Sequence, residues 1–480
     1  MRADLPAAVR LKELLDQFAD ATGLTINFHK STLVPMHVPE ADLVEIQAAL
    51  GYRVEGFPQT YLGLPLSCEK LTMLHFALLI AKVDKCLSGW CALLLSSGGR
   101  VVLLNAVLDA LPTFAMGALD LPPALLRAID ALRRAFLWNV PGRATGAKCL
   151  VAWDAVCRPK REGGLGIKCL AAKNECLQLK LVHRLHWKHL QALMPLYRSI
   201  SVAKVGDGQR VLFWLDNWIG GEAIGSRWPI LLSHALRRDA TVSSVIAVGV
   251  RQSLVPRLTA AAERLLPALL ALVGEVALSE ATDMRELVRC RKKAGGLDAS
   301  VLYRLRTWGG VDDPAHDFMW KNFAPSKVRF FAWLLSKGRV QSRASLLHKN
   351  MLAVAEAGCP ICHAPLETAN HIFFECPFAR RFWGAVGFQF PDTADVKLLH
   401  EYAAHAAVPP DSASTFTLLC LWNLWKHRNA VVFREQQPCL PLLLHLCRSE
   451  ARFWRARLPG DQELAEAAWL GCLTENITSV

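Results

Sequence analysis

CPICHAPLETANHIFFEC, residues 359–376, holds Cys359, Cys362, His371 and Cys376 within eighteen residues. A Cys-x2-Cys pair sits on a tight knuckle, with Pro360 between its ligands. A His and a last Cys follow after gaps of eight and four residues. Three thiolates and one imidazole are the donor set of a tetrahedral structural Zn2+ site. His363, directly after Cys362, is a rival for the imidazole position. His371 is preferred because NHIFFECPFARRFW reads as a helical run. There His371 and Cys376 are five residues apart, close to one and a half turns, so they converge only with local distortion.

Outward from this stretch, composition narrows the class. The chain has 480 residues, 52% hydrophobic and 20% charged, enough to bury a large core and unlike a disordered segment. Its net charge of +13 suits a polyanion partner, nucleic acid before an anionic membrane surface. The 15 cysteines are scattered and odd in number, and the first residues form an amphipathic pattern rather than a signal peptide. The reading is a reducing, intracellular compartment, nucleus or cytoplasm, with free thiols and one metal site. LLPALLALVGEVAL from Leu265 is too short to span a bilayer and carries Pro267 and Glu275, so no membrane partner is expected.

The periodicity is mostly helical. Val9, Leu11, Leu14, Leu15 and Phe18 mark a helix from Leu5 to Thr22 that Gly23 ends. LTINFHKSTLV reads as extended, 41–50 as a short helix, and FPQTYLGLPLS as an extended loop. Helices follow over 71–137, dotted with Lys82, Lys85, Arg100, Arg127, Arg133 and Arg134, and Pro123 opens the last of them. Residues 171–193 read as a helix bearing Lys180, His183, Arg184, His186, Lys188 and His189, a candidate phosphate-contacting face. Gly206-Asp-Gly208 reads as the turn of a hairpin over 201–220, and 221–300 as helical. An aromatic, basic helix stripe with Phe330, Trp333, Leu334 and Leu335 precedes the cysteines, flanked by Lys327, Arg329, Lys337, Arg339 and Arg343. Asp312-Asp313 sits in a Gly-rich turn, where Asp is favoured for turn chemistry.

Five ordered stretches carry a resemblance: INFHKS at 26–31, TYLGLPL at 60–66, GDGQRVLFWLDNW at 206–218, FAWLLSKGRVQSRASLLHKN at 331–350 leading into the cysteines, and WNLWKHRN at 422–429. Together they resemble the C-terminal part of a plant non-LTR (LINE-type) retrotransposon reverse transcriptase, including its zinc-binding domain. The resemblance implies palm-remnant residues 1–66, a helical thumb-like region 67–200, a second connection 201–300, the zinc-binding domain 301–395 and a helical tail 396–480. The fold class expected is mainly α with a few short strands, in several modules.

The family's metal-holding carboxylates, with an aromatic-Ala-Asp-Asp turn, lie upstream of the INFHKS stretch and across a helix from it. The present sequence starts within or just before that helix, so a catalytically incomplete fragment is expected. Phe18-Ala19-Asp20-Ala21 imitates that turn but closes a helix and lacks the second acid. Acidic residues after Trp425 are sparse and carry no ribonuclease H pattern. The expected function is nucleic-acid binding without catalysis, with Zn2+ as a structural cofactor. Contacts are assigned to Lys327, Arg329, Lys337, Arg339, Arg343, Arg380 and Arg381. The alternatives are a zinc-stapled protein-interaction module, a decayed fragment without selected function, and an active RNA-directed DNA polymerase.

Overall fold

The helix read at the start of the chain forms over Leu5–Thr22 in a computed structural model, which describes residues 4–27, 30–89, 94–140, 148–184, 193–288, 298–402, 405–458 and 462–474. Asp4 caps it by accepting from the Ala7 amide at 2.8 Å, and Gly23 closes it at φ 72°. The Phe-Ala-Asp-Ala stretch lies inside this helix. The structure is 57% helix and 6% strand, so the mainly α class holds. It has two compact units, Met1–Lys82 and Val83–Val480.

In the first unit, Ala8 on the opening helix packs with Ile46 and Leu50 of the Glu40–Leu50 helix. Thr32–Leu33 pairs in parallel with Arg53–Val54. TYLGLPL is not the extended loop read from its Pro and Gly. Gln59–Tyr61 pairs antiparallel with Leu64–Leu66, and Leu62 and Gly63 turn at φ 51° and 80°. Positive φ at both central residues is the geometry that matches hairpin twist. Within the INFHKS stretch, Phe28 and His29 lie outside the described residues.

In the second unit, three packed regions lead to the cysteine cluster. The Ser97–Leu103, Pro123–Trp138 and Leu170–Arg184 helices supply the first. Gly98 is required there, because a Cβ would lie 2.3 Å from the Ser326 carbonyl group where two helices cross. Two of the basic residues that dot these helices, Arg100 and Arg133, are internal. Arg133 is fully buried, bound to Asp130 at 2.7 Å and to the Lys168 carbonyl at 3.0 Å, and Arg100 is buried against the Leu137 carbonyl. Arg134 lies over Trp153. The charged face read between Lys180 and His189 lies outside the described side chains.

The second region corrects the hairpin read at 201–220. Ser201–Lys204 pairs antiparallel with Met284–Leu287, some 80 residues away, not with the segment after the Gly-Asp-Gly turn. That turn instead wraps a carboxylate. Asp283 accepts from the amides of Gly206 and Gly208 at 2.8 and 2.9 Å with one oxygen. Its other oxygen accepts from Arg210 and Val211 at 2.8 and 3.1 Å. A Cβ at Gly206 would meet the Ala281 carbonyl oxygen at 2.0 Å. Residues 221–288 are helical only in part, and they close over a core with Phe213, Trp214, Leu231 and Leu269 at its centre. Residues 289–297, read as helical, lie outside the described residues.

Burial pushes the Asp283 carboxyl up, but the four amides together hold it below the ordinary 3.8. A depressed folded value contributes stability above 3.8 that is lost as pH falls through the folded value. Asp283→Asn should therefore lower neutral-pH stability by about 1 kcal/mol, since amides lose a charged acceptor in a partly solvated loop. As pH falls from 3.8 through the lower folded value the variant and the parent should converge, read as urea midpoints across an acid pH series.

The third region is the cysteine module with the chain that follows it. Ser326–Ser336 is a helix whose Phe331 packs on Trp422 and Trp425 of the 25-residue Pro410–Arg434 helix, at ring distances of 5.3 and 6.0 Å. Trp333, also on Ser326–Ser336, is fully buried, and its indole donates to the Gly163 carbonyl at 2.9 Å. The Glu162-Gly-Gly-Leu-Gly166 turn thus receives this helix. Leu440–Trp454 and Gln462–Cys472 complete the layer.

Candidate metal centre

Cys359, Cys362, His371 and Cys376 come together, with one ligand atom from each lying within 4.8 Å of all the others. Tetrahedral zinc with thiolate bonds of about 2.3 Å places its ligand atoms roughly 3.8 Å apart. Cys362 Sγ lies 3.2 Å from His371 Nε2, so the donor set fits such an ion by distance as well as by type. Cys359, His371 and Cys376 are buried.

Local backbone chemistry builds the site. The knuckle is closed by the Cys359 amide donating to the Ala364 carbonyl at 2.8 Å and the His363 amide donating to the Cys359 carbonyl at 3.0 Å. His363 sits at φ 62°, exposed and outside the four-atom group, so His371 provides the imidazole. The distortion that the 371–376 spacing demanded is a π turn over His371–Glu375, closed by the Cys376 amide donating to the His371 carbonyl at 2.9 Å. A bond across five residues brings His371 and Cys376 to the same face, which an α-helix would not. Cys376 then caps the Pro377–Val386 helix, with Pro377 in its first turn.

The thiols are prepared for a cation. A hydrogen bond from Cys376 and the amides of Cys362 and Ile361 outweigh burial and bring Cys359 down to about 4. The same shared proton pushes Cys376 up, opposed by the amides of Phe378 and Ala379 at the helix start. A metal ion held by Cys359 and Cys376 would take the place of that proton, with both sulfurs as thiolates facing backbone donors. His371 presents Nε2 to the sulfurs and Nδ1 toward Glu375 Oε2 at 3.9 Å, and its amide donates to Thr368 Oγ1 at 2.9 Å.

Sequence reading missed the residues that hold this knuckle in place. Glu367 is fully buried and receives a two-pronged bond from Arg428 of WNLWKHRN, through Nε at 2.9 Å and through Nη2. Its backbone joins the knuckle as well, since its amide donates to the Ala357 carbonyl at 2.9 Å and its carbonyl accepts from Ala344 at 3.0 Å. Arg428 lies 5.5 Å over Trp425, and His427 stacks on Phe378 at 5.1 Å. The recognisable tail motif is therefore the dock for the metal knuckle. An Arg three residues beyond a Trp-rich helix stripe was the available signal, but its partner lies 61 residues away.

The assigned basic residues divide. Arg343 is turned inward, donating to the carbonyls of Glu356 and Gly358 at 3.1 and 2.9 Å, so it braces the knuckle. Lys337 is tied to Asp313 at 3.2 Å, and Arg329 is half-buried, its guanidinium held below the ordinary range by burial and by Arg457. Lys327 is exposed and lies 5.8 Å over Trp422. Arg339 and Arg381 are exposed, and Arg380 makes a solvent-exposed pair with Asp392 at 3.1 Å. Among the described residues no helix is long and apolar enough to cross a membrane.

Three cysteines and a histidine gathered on a helical scaffold make a cluster that could hold a metal ion. Residues 299–383, which contain all four ligands, match the family model described as zinc-binding in reverse transcriptase. The chain is also 25% identical over 435 residues to an Arabidopsis thaliana protein with the working name ribonuclease H protein, covering 78% of this chain and 67% of that relative. Both findings agree with the resemblance drawn from the five ordered stretches.

Proposed function

We propose that the chain is a nucleic-acid-binding piece of a plant LINE-type reverse transcriptase, stapled by one structural zinc ion and not itself catalysing nucleotide transfer. The observation that carries this reading is the four-ligand centre inside the matched segment, with Lys327, Arg339 and Arg381 exposed on the same module. Three thiolates and an imidazole complete a tetrahedral shell and leave no position for water or substrate. The zinc's part is to hold the knuckle, while cations around it neutralise phosphates. Free thiols, as in the buried Cys420 and Cys447, suit a reducing intracellular compartment.

The test is binding of single-stranded RNA and DNA over a salt series. Log affinity should fall linearly with log salt, at about 0.7 per phosphate contacted. Arg339→Ala with Arg381→Ala should shallow that slope by about 0.7 per residue removed, without loss of bound metal. Absence of binding to any strand at low salt contradicts the reading and leaves a protein-interaction module.

The relative's name favours a second reading, a metal-dependent ribonuclease. That chemistry needs several carboxylates around paired metals. In the tail, Glu450 is engaged by Lys426 and Asn423, and Glu466 by Arg455. Among the described residues the Cys/His cluster is the group of three or more metal-binding side chains that come close together. Cleavage of the RNA strand of an RNA–DNA hybrid with Mg2+, or extension of a primer, would replace the first reading.

A further inference from the structure

Lys160 opens the short turn Lys160–Glu162, which the Asp313 amide ties down by donating to the Arg161 carbonyl at 2.6 Å. The turn packs on the His316–Trp320 helix, where the Lys160 ammonium lies 4.5 Å over the Trp320 ring. That helix packs in turn on Ser326–Ser336, which carries Arg329. Arg457 comes from the far end of the sequence, on the turn Arg455–Arg457 after the Leu440–Trp454 helix. The three cations act on one another. Burial first, and then Arg329, pulls the Lys160 ammonium below its ordinary 10.5. Burial first, and then Arg457, does the same to the Arg329 guanidinium. Nearby acids are engaged elsewhere: Asp313 with Lys337, and Glu466 with Arg455. Among the described residues no carboxylate pairs with any of the three, and Nε of Arg329 is enclosed without a hydrogen-bond partner.

Like charges gathered where water screens them poorly cost the free chain stability, and an anion from outside removes that cost. We propose that Lys160, Arg329 and Arg457 seat the backbone phosphates of a bound single strand. The proposal rests on the nucleic-acid reading above and names a place where the strand runs. Arg329 belongs to the matched segment 299–383, and Lys160 and Arg457 come from the chain on either side of it. Lys160 and Arg457 are exposed and Arg329 is half-buried, so the seat is open to a ligand. Guanidinium forks meet phosphate oxygens two at a time, and the ammonium adds a point charge. Such contacts position a strand without reading its bases.

The experiment uses the full zinc-loaded chain and fluorescein-labelled oligouridylate and mixed-sequence single strands over a salt series. Lys160→Gln, Arg457→Gln and Arg329→Met should each shallow the slope of log affinity against log salt by about 0.7, equally for both strands. Arg264→Gln removes an exposed cation from the Ala260–Gly274 helix and should leave the slope as it is. A role in the fold alone is separated by the urea midpoint of the strand-free chain. Each of the three variants should match or exceed the parent there, because a repelled charge has been removed. Lys160→Gln and Arg457→Gln change exposed side chains and carry the test if Arg329→Met does not fold. An unchanged slope in the variants overturns the seat while the parent's binding keeps the nucleic-acid reading. A fall in midpoint with an unchanged slope makes these cations braces and also overturns it. Equal shallowing by Arg264→Gln overturns it in favour of diffuse charge, and displacement of the strand by an equal charge concentration of polyglutamate overturns it in favour of an acidic protein. Failure of the parent to bind any strand at low salt overturns both readings.

Discussion

Replacing Cys359 and Cys362 together by Ser should abolish stoichiometric zinc and unfold the knuckle around residues 355–385. Hydroxyls are poor zinc ligands, and two ligands do not close a tetrahedral shell. Residues 353–356 are exposed, and apart from the metal ligands the loop is tied down by Arg343, which donates to the Glu356 and Gly358 carbonyls, and by the buried Glu367. Metal binding by such sites supplies about 10–16 kcal/mol of apparent folding free energy, more than the module can recover elsewhere. Metal analysis of the purified chain and amide exchange over the knuckle are the readouts. Helices such as Ala260–Gly274, which pack in a separate core, should keep their protection. Unchanged zinc in the double variant would remove the centre from the account.

The second large effect is expected at the buried pair. Glu367 is fully buried and the Arg428 side chain is only 5% exposed, so neither charge can turn to water if its partner is lost. Arg428→Met should cost about 3–5 kcal/mol, the usual penalty for leaving one buried charge behind. Glu367 would keep only the Arg343 amide at 3.2 Å as a donor to its carboxylate. Replacing Glu367 and Arg428 by apolar residues together should cost less than either single change, leaving chiefly that amide unpaired. Urea midpoints followed by tryptophan emission measure this, since Trp422 and Trp425 lie on the same helix. A loss below about 1 kcal/mol for Arg428→Met would mean that the pair does not fix the knuckle to the tail helix.

Both predictions join features that differ in how legible they are in the sequence. The ligands could be read directly, because a metal site compresses its information into a short spacing, and helix ends could be read at Gly23 and Pro123. The π turn could be read only as a demand: a five-residue interval that an α-helix cannot satisfy. Long-range partners left no such trace. Glu367 meets Arg428, Asp283 meets the 206–211 amides, and Ser201–Lys204 finds Met284–Leu287, each across more than 60 residues. Periodicity reports which face is apolar, not which distant polar group a buried charge will find. That is also why Arg133 and Arg343 read as surface cations: a long stem and several donors let arginine satisfy carbonyls inside the protein. The 201–220 stretch carried a turn signal strong enough to suggest a hairpin, yet its glycines serve a carboxylate.

The most direct measurement of the central claim is substitution of Co2+ into the metal-free chain, followed by absorption spectroscopy. One equivalent should bind and give the intense visible bands of a tetrahedral ion together with thiolate charge-transfer, and Zn2+ should displace it. His371→Ala should alter those bands and His363→Ala should not. Failure to take up one equivalent, a six-coordinate spectrum, or dependence on His363 in place of His371 would contradict a closed centre made by Cys359, Cys362, His371 and Cys376.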